Sequence, residues 1–299
     1  GARLAAAGES VAFLARGQHL DAIRRDGLKI ESALGNAHIH PAEATDDAQA
    51  IGPVDVAIVA VKLYDDAAAA EACMKLLGPR TAVVSFQNGV TAADTLAAAV
   101  GRERVFGGTA QILAVIAKPG VIAHTGTMAR LQVGEFTGGS SPRVKALADA
   151  LRHAGVDVEE SSDIAAAIWS KFAFLAPFSG MTALTRATIG PIRANEDARG
   201  LFRRAVEEVA AVARARGVNL ATDAPDKIMA FVDGLPAEMG SSMLHDLRAG
   251  KRLELPWLSG AVSRLGREGG VVTPTHDFIV AALGLYAAGG VNREANPPR

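Results

Sequence analysis

The chain has 299 residues, of which 49% are apolar and 21% are charged, and its formal net charge is −1. This composition is that of an ordinary globular protein, and the length favours two domains over a single hydrophobic core. A charge so close to zero argues against a nucleic-acid partner, which requires a basic face.

The apolar runs are too short for a membrane-spanning protein, and a single cysteine excludes a disulfide-stabilised one. The longest runs, Val54–Val61 and Ile279–Ala288, fall well short of the roughly 20 residues that cross a bilayer, so no membrane partner is expected. The one cysteine, Cys73, excludes an internal disulfide framework, and its apolar neighbours predict a core position. The histidines show no metal-ligand spacing, so no metal site is predicted. With no recognisable signal peptide, the expected location is the cytoplasm.

The first half of the chain alternates strands with helices. Three short unbroken apolar runs are typical of buried parallel strands, namely Val11–Leu14, Asp55–Val61 and Ala82–Phe86. The helices predicted after them cover His19–Asp26, Asp66–Leu77 and Thr91–Val100. A hairpin is expected within Leu28–His40, and further antiparallel strands within Gln111–Glu135. This order predicts an α/β fold built on a Rossmann-type parallel sheet.

The first residues do not match the usual beginning of that fold. Ala2–Ala7 favours a helix, Gly8 is a natural C-cap, and Val11–Leu14 then corresponds to the second strand of a βαβ unit. We therefore expect the first strand of the sheet and its Gly-x-Gly-x-x-Gly turn to be missing. The chain is then a fragment or the product of a misplaced start.

After residue 161 the pattern changes to helices alone. The first of them is long and apolar, and its N-cap is predicted at Ser162 or Asp163. The change predicts two domains. Residues 1–161 form an incomplete nucleotide-binding domain, and residues 162–299 form an all-α domain for substrate and catalysis.

Three polar residues directly follow predicted parallel strands, where nucleotides bind in such sheets: Arg16, Lys62 and Asn88. An arginine after the second strand suits a ribose 2′-phosphate, whereas an acidic residue would suit a free 2′-hydroxyl. Each position also has a structural alternative. Arg16 would then be a solvated surface residue, Lys62 a strand-end lysine reaching water, and Asn88 the first residue of an Asn-Gly turn.

Lys171 lies within the apolar segment Ile164–Phe178. Partial desolvation of its ammonium should lower the pKa of Lys171 towards values useful for proton transfer. The alternative is a lysine whose stem packs on the helix while its charge reaches water.

A third group of candidates occurs between Ser241 and Glu254. Two hydroxyls begin the segment, Asp246 and Arg248 follow, and Glu254 comes twelve residues after Ser242. We expect Asp246 and Arg248 to belong to a structural ion-pair network, which leaves Ser242 and Glu254 as the candidate functional residues.

Together with Trp169-Ser170-Lys171-Phe172, this segment resembles the signature of the ketopantoate reductases (2-dehydropantoate 2-reductases). The resemblance extends over nearly the whole chain, and its landmarks occur in the family's order: Arg16, Lys62, Asn88, Lys171, Ser242 and Glu254. It implies NADPH-dependent reduction of 2-dehydropantoate to (R)-pantoate, a step towards pantothenate and coenzyme A. In that family, the N-terminal domain holds the nicotinamide, and the C-terminal domain supplies a lysine and a glutamate.

The resemblance also implies residue roles. Lys171 and Glu254 would be catalytic, with Lys171 protonating the developing alkoxide and Glu254 hydrogen-bonding a substrate hydroxyl. Asn88 and Ser242 would bind substrate, Ser242 through the substrate carboxylate. The residues implied to bind the cofactor, NADP(H), are Arg16, Lys62, Asn88 and Glu135.

Two positions depart from the family pattern. Many members have an asparagine four residues after the lysine, where this chain has Leu175, and an acidic residue where it has Pro256. These departures leave open a related reductase of another 2-keto acid. The missing Gly-x-Gly-x-x-Gly turn leaves open a truncated homologue without catalytic activity. The expected partner is a small 2-keto acid, with a homodimer as the candidate assembly.

Overall fold

The computed structural model describes residues 1–290 and divides the chain into two compact units. The first unit comprises Gly1–Val61, Asp65–Gln87 and Ala92–Ile164. The second comprises Lys62–Tyr64, Asn88–Thr91 and the residues from Ala165 onwards. Two short segments that follow strands of the first unit therefore belong with the helical unit, and these segments carry Lys62 and Asn88.

The first unit contains the strands of the described chain, interspersed with helices. The strands are β1 (Ala12–Leu14), β2 (Leu28–Ser32), β3 (Ala37–Ile39), β4 (Glu43–Thr45), β5 (Val56–Val59), β6 (Ala82–Ser85), β7 (Val105–Lys118), β8 (Val121–Gly134) and β9 (Asp157–Glu160). The helices are α1 (Ala2–Ala6), α2 (Gly17–Asp26), α3 (Ala48–Ile51), α4 (Asp66–Lys75), α5 (Ala92–Val100) and α6 (Pro142–His153).

These strands form a Rossmann-like sheet, as predicted. Strands β5, β6 and β7 pair in parallel, and the seven-stranded sheet has the order β3-β2-β8-β7-β6-β5, with β9 parallel to β8. The predicted β2–β3 hairpin and the antiparallel pairing of β7 with β8 are both present. One difference is that β1 pairs in parallel with β4 in a separate two-stranded sheet.

Strand β6 is apolar because both of its faces are covered. Val84 packs with residues of α6, whereas Val83 packs with residues of α4 and α5, since successive side chains of a strand point to opposite faces. Cys73 of α4 belongs to the second of these clusters, and burial raises the pKa of its thiol to about 11. The predicted core position of Cys73 is therefore confirmed.

The second unit is helical, as predicted. Its helices are α7 (Ile164–Thr185), α8 (Ile189–Ala194), α9 (Glu196–Ala215), α10 (Ala224–Asp233), α11 (Ser242–Arg248), α12 (Ser259–Glu268) and α13 (Pro274–Leu283). Phe172 and Ala176 of α7 are buried with Val206 and Val209 of α9 in one large apolar cluster. Helix α7 is thereby fixed along much of its length, and it carries Lys171.

Among the described residues, α7 is the one helix long and apolar enough to cross a bilayer. It has 22 residues, and the mean hydropathy of its most apolar window is 1.3. The core helix of a soluble protein passes the same test, and 56% of that window is buried inside the protein. Length and composition alone therefore do not make α7 a membrane span.

Candidate active site

A buried carboxylate lies at the centre of the candidate site in the second unit. Glu254 directly precedes a short 3-10 turn at Leu255–Trp257, and it is 4% exposed. Its Oε1 accepts a hydrogen bond from the backbone N–H of Leu63 at 3.1 Å, and its Oε2 accepts one from Lys62 Nζ at 3.0 Å. A buried charge is tolerated when it is paired and hydrogen-bonded, and both oxygens of Glu254 meet that condition.

Lys62 bridges two carboxylates. Besides Glu254, its Nζ lies 3.1 Å from Asp246 Oδ2. Burial disfavours the charged form, but attraction and hydrogen bonds from Glu254 and Asp246 outweigh it, so the pKa of Lys62 is raised. In the structure the ammonium of Lys62 binds these two carboxylates, and its contact with a nucleotide stays a prediction.

The expected ion-pair network is present at Asp246 but does not include Arg248 among the described residues. Asp246 pairs with Lys62, and Arg248 donates a hydrogen bond to the backbone carbonyl of Arg186 at 2.8 Å. Residues two apart on a helix do not face each other, which is the physical reason. A spacing of four puts Ser242 and Asp246 on one face of α11, and that spacing was the available signal for a site residue at Asp246.

Lys171 is the proton donor candidate. Its Nζ donates a hydrogen bond to Asn88 Oδ1 at 2.9 Å. Burial lowers the pKa of Lys171 to about 8, and the more distant charge of Glu254 offsets only part of that effect. The predicted desolvation of Lys171 is therefore confirmed. An ammonium with a pKa near neutrality can give up its proton readily to a developing alkoxide.

Asn88 is both part of a turn and a partner of Lys171. Gly89, which follows it, has a φ of 87°, a conformation that favours glycine. A Cβ at Gly89 would lie 3.2 Å from a methyl of Leu63 and 3.4 Å from the carbonyl oxygen of Trp257. The turn is thus packed against the segment that carries Lys62, and this packing positions the Asn88 amide.

The two hydroxyls at the start of α11 have different environments. Ser241 is buried, caps the helix by accepting from the Leu244 N–H at 3.0 Å, and lies 2.6 Å from the Thr182 hydroxyl. Ser242, the first residue of α11, is exposed. Of the pair, Ser241 has a structural role, and Ser242 is the hydroxyl accessible to a ligand.

The remaining candidates, Arg16 and Glu135, lie in the first unit. Glu135 follows β8, and its carboxylate accepts hydrogen bonds from Arg143 Nε at 2.6 Å, Arg143 Nη2 at 2.7 Å and the Ser141 hydroxyl at 2.6 Å. The bond from Arg143 lowers the pKa of Glu135. The carboxylate is therefore occupied by neighbours on its own unit.

Arg16 is exposed between β1 and α2, in an extended conformation as the N-cap residue of α2. Within residues 1–290 its guanidinium makes no ion pair. A guanidinium with unpaired donors at the end of a parallel strand can bind a phosphate group. Among the same residues, no cluster of three or more His, Cys, Asp or Glu side chains could hold a metal ion.

Two family models match this chain. The family model described as "Ketopantoate reductase PanE/ApbA" matches residues 1–138, and "Ketopantoate reductase PanE/ApbA C terminal" matches residues 163–287. A 2-dehydropantoate 2-reductase of Mesorhizobium japonicum is 32% identical over 303 residues, which cover 94% of this chain and 92% of that protein.

Solved structures of similar fold agree with these matches. The crystal structure of 2-dehydropantoate 2-reductase from Geobacter metallireducens has a TM-score of 0.88 and 30% identity, covering 95% of this chain and 94% of that one. A ketopantoate reductase from Staphylococcus aureus, described as dimeric, has a TM-score of 0.73 and 25% identity, covering 87% of this chain and 86% of that one.

Proposed function

Because the chain belongs to the ketopantoate reductase family, we propose that it reduces the 2-ketone of 2-dehydropantoate to (R)-pantoate with NADPH. The observation that carries this proposal is Lys171, a half-buried ammonium with a pKa of about 8 that bonds a neutral amide rather than a carboxylate. A carbonyl reduction needs such an acid, because the oxygen gains negative charge as the carbon accepts hydride.

Lys171 is the proposed acid. When bound, NADPH supplies the hydride. Asn88 accepts one hydrogen bond from Lys171 Nζ, which leaves two N–H groups of the ammonium for the substrate oxygen. One of them stabilises the developing alkoxide and then transfers its proton to it, so that Lys171 ends the step as a neutral amine.

Glu254 and Ser242 are the proposed substrate-binding groups. Each oxygen of Glu254 accepts one hydrogen bond from the chain, and the remaining lone pairs can accept another from the 4-hydroxyl of ketopantoate. The exposed hydroxyl of Ser242 can donate to the substrate carboxylate. Together these contacts select a 2-keto acid that carries a 4-hydroxyl.

For the cofactor, we propose that Arg16 binds the 2′-phosphate and that Lys62 and Asn88 contact NADP(H). The support for Arg16 is its exposed guanidinium without an ion pair in the described part of the chain. For Glu135 the proposed role is indirect, because Arg143 and Ser141 already engage its carboxylate.

We also propose that the protein acts in the cytoplasm, in pantothenate synthesis, and that it forms a homodimer. The dimeric Staphylococcus aureus relative supports the homodimer.

A related reductase of another 2-keto acid is the second candidate. Leu175 favours it, since it lies one turn after Lys171 on α7 and offers a hydrocarbon where many family members have an amide. Pro256, two residues after Glu254, removes a carboxylate that many members have there. Both changes would make the substrate site less polar.

A matched pair of substrates separates the two candidates. Ketopantoate and 3,3-dimethyl-2-oxobutanoate share a carbon skeleton and differ in the 4-hydroxyl. With NADPH, we expect kcat/KM to be about tenfold or more higher for ketopantoate, because Glu254 then keeps its hydrogen-bond partner. Equal values for the two acids would favour the second candidate, and no oxidation of NADPH with either acid would contradict the proposed function.

A further inference from the structure

Asp246 is a carboxylate of this site to which the proposed mechanism assigns no role. Lys62 Nζ lies between Asp246 Oδ2 at 3.1 Å and Glu254 Oε2 at 3.0 Å, so one ammonium serves two carboxylates. The side chains of Asp246 and Glu254 are 18% and 5% exposed, respectively. Water therefore screens these charges only in part, and their balance influences the groups around them.

The same arrangement fixes where Glu254 points. One oxygen accepts from the Leu63 N–H and the other from Lys62, so both are directed at the segment that carries Lys62. Lys171 in turn bonds the neutral amide of Asn88. Lys171, which is half-buried, thus has no carboxylate in direct contact among the described residues, and Glu254 is the charged group that acts on it from a distance.

We propose that Asp246 is a positioning residue, which holds Lys62 against Glu254 and thereby sets the charge balance around the proton donor Lys171. With Lys171 protonated, the four groups Lys62, Lys171, Asp246 and Glu254 carry no net charge. Loss of Asp246 would leave one excess positive charge, and loss of Lys62 would leave one excess negative charge. The inference rests on the proposed function of Lys171 as an acid.

Opposite shifts in the pKa of Lys171 are the signature of this arrangement. Asp246→Asn should lower the pKa, because an excess positive charge disfavours a second ammonium, whereas Lys62→Gln should raise it. We expect each shift to be about half a pH unit or more, as for a charge change in a partly buried site. Asp246→Glu keeps the charge and should restore the wild-type value.

Competitive labelling of the ligand-free full chain measures this pKa without any substrate. The rate at which trace acetic anhydride acylates Lys171 is followed by mass spectrometry as a function of pH. The matched control is Asp223→Asn, which removes the carboxylate of an exposed lysine pair in the same unit, Asp223–Lys227 at 2.9 Å. That variant should leave the titration of Lys171 unchanged.

The alkaline limb of kcat/KM for ketopantoate should move in the same directions as the labelling titration. Unchanged titration in both Asp246→Asn and Lys62→Gln, or shifts of the same sign in the two, would overturn the proposal, since structural damage predicts no sign reversal. If Asp246→Asn does not fold, Lys62→Gln decides alone: a raised pKa supports the proposal, and an unchanged or lowered pKa overturns it. A wild-type protein that leaves ketopantoate unreduced contradicts the proposed function, while the labelling result still decides the role of Asp246.

Discussion

At the scale of single residues, the pKa values of two lysines of the second unit are shifted in opposite directions. Burial acts on both, but Lys62 has two carboxylate partners and its pKa is raised, whereas Lys171 has an amide partner and its pKa falls to about 8. Burial penalises the charged form wherever no opposite charge compensates it. Residue type alone therefore does not determine which lysine can act as an acid.

Replacement of Lys171 tests its role in proton transfer. Lys171→Ala should lower turnover of ketopantoate by roughly 10²–10⁴, the usual effect of losing a general acid, with little change in NADPH affinity. Steady-state kinetics and a fluorescence titration of NADPH measure the two quantities. Lys227→Ala, at an exposed lysine, is the control, and near-normal turnover of Lys171→Ala would remove Lys171 from the mechanism.

The low pKa of Lys171 also has a cost in stability. Between pH 8 and pH 10.5 the unfolded chain binds more protons at this residue than the folded one, so the free energy of unfolding rises with pH across that window. Below pH 8 the full cost is present. Lys171→Met should therefore raise the free energy of unfolding at pH 7, by on the order of 1–3 kcal/mol, and raise it less at pH 10.

Urea unfolding at the two pH values measures this effect, in the same variant that should lose activity. A Lys171→Met protein that is less stable than wild type at pH 7 would contradict the assignment of a desolvated ammonium.

The proposed preference for NADPH can be tested at Arg16, a residue of the first unit. Arg16→Ala should weaken NADPH binding by about 1.5–3 kcal/mol, the range for a hydrogen bond to a charged group, and leave NADH binding nearly unchanged. Calorimetric titration with each cofactor gives both numbers. Arg214→Ala, at an exposed arginine of α9, is the control. If Arg16→Ala weakens both cofactors alike, Arg16 has no selective contact with the 2′-phosphate.

At the scale of secondary-structure elements, helix α11 separates folding from binding in two adjacent residues. Its buried N-cap, Ser241, satisfies the Leu244 N–H and contacts the Thr182 hydroxyl. One position later, Ser242 is exposed on the face that also carries Asp246. Ser241 therefore stabilises the start of the helix, whereas the hydroxyl of Ser242 is exposed.

This difference can be measured with a pair of alanine variants. Ser241→Ala should lower the free energy of unfolding by about 1–3 kcal/mol, because a cap is lost and a buried hydroxyl loses its partner. Ser242→Ala should leave stability within about 0.5 kcal/mol of wild type and raise KM for ketopantoate. Thermal unfolding and steady-state kinetics of both variants are the measurements, and equal stability losses would contradict the distinction.

At the scale of the whole molecule, the chain crosses between its two units more than once. Segments Lys62–Tyr64 and Asn88–Thr91 follow strands of the first unit but belong to the second. They supply the donors that hold Glu254 and the acceptor that holds Lys171. The helical unit therefore depends on residues that lie before its main segment in the sequence.

We accordingly expect one cooperative thermal unfolding transition. Once the segment around Lys62 unfolds, Glu254 is left buried without its donors, which costs about 3–5 kcal/mol, a large share of the stability of a typical domain. Scanning calorimetry should give a van't Hoff enthalpy close to the calorimetric one. Two resolved transitions would show that the helical unit remains folded without these segments.

Local patterns in the sequence were sufficient to predict the fold class and part of the candidate site. Unbroken apolar runs such as Ala82–Phe86 predict strands covered on both faces, and the apolar neighbours of Lys171 predict its desolvation. Both follow from residues close together in the chain, because burial of a strand or of one helix face is a property of a short segment. The order of landmark residues was similarly sufficient to identify the family.

Only the tertiary structure decided which charged groups meet. Lys62 is paired with Asp246 and Glu254, which lie 184 and 192 residues further along the chain, and no local spacing relates them. Likewise, Ser241 rather than Ser242 is the buried hydroxyl because it contacts Thr182, which is distant in the sequence. The carboxylate of Glu135 is hydrogen-bonded to Arg143, which the sequence pattern did not indicate. A charged side chain takes whichever opposite charge or dipole the packing of helices and strands brings within about 3 Å, and that packing is a property of the whole chain.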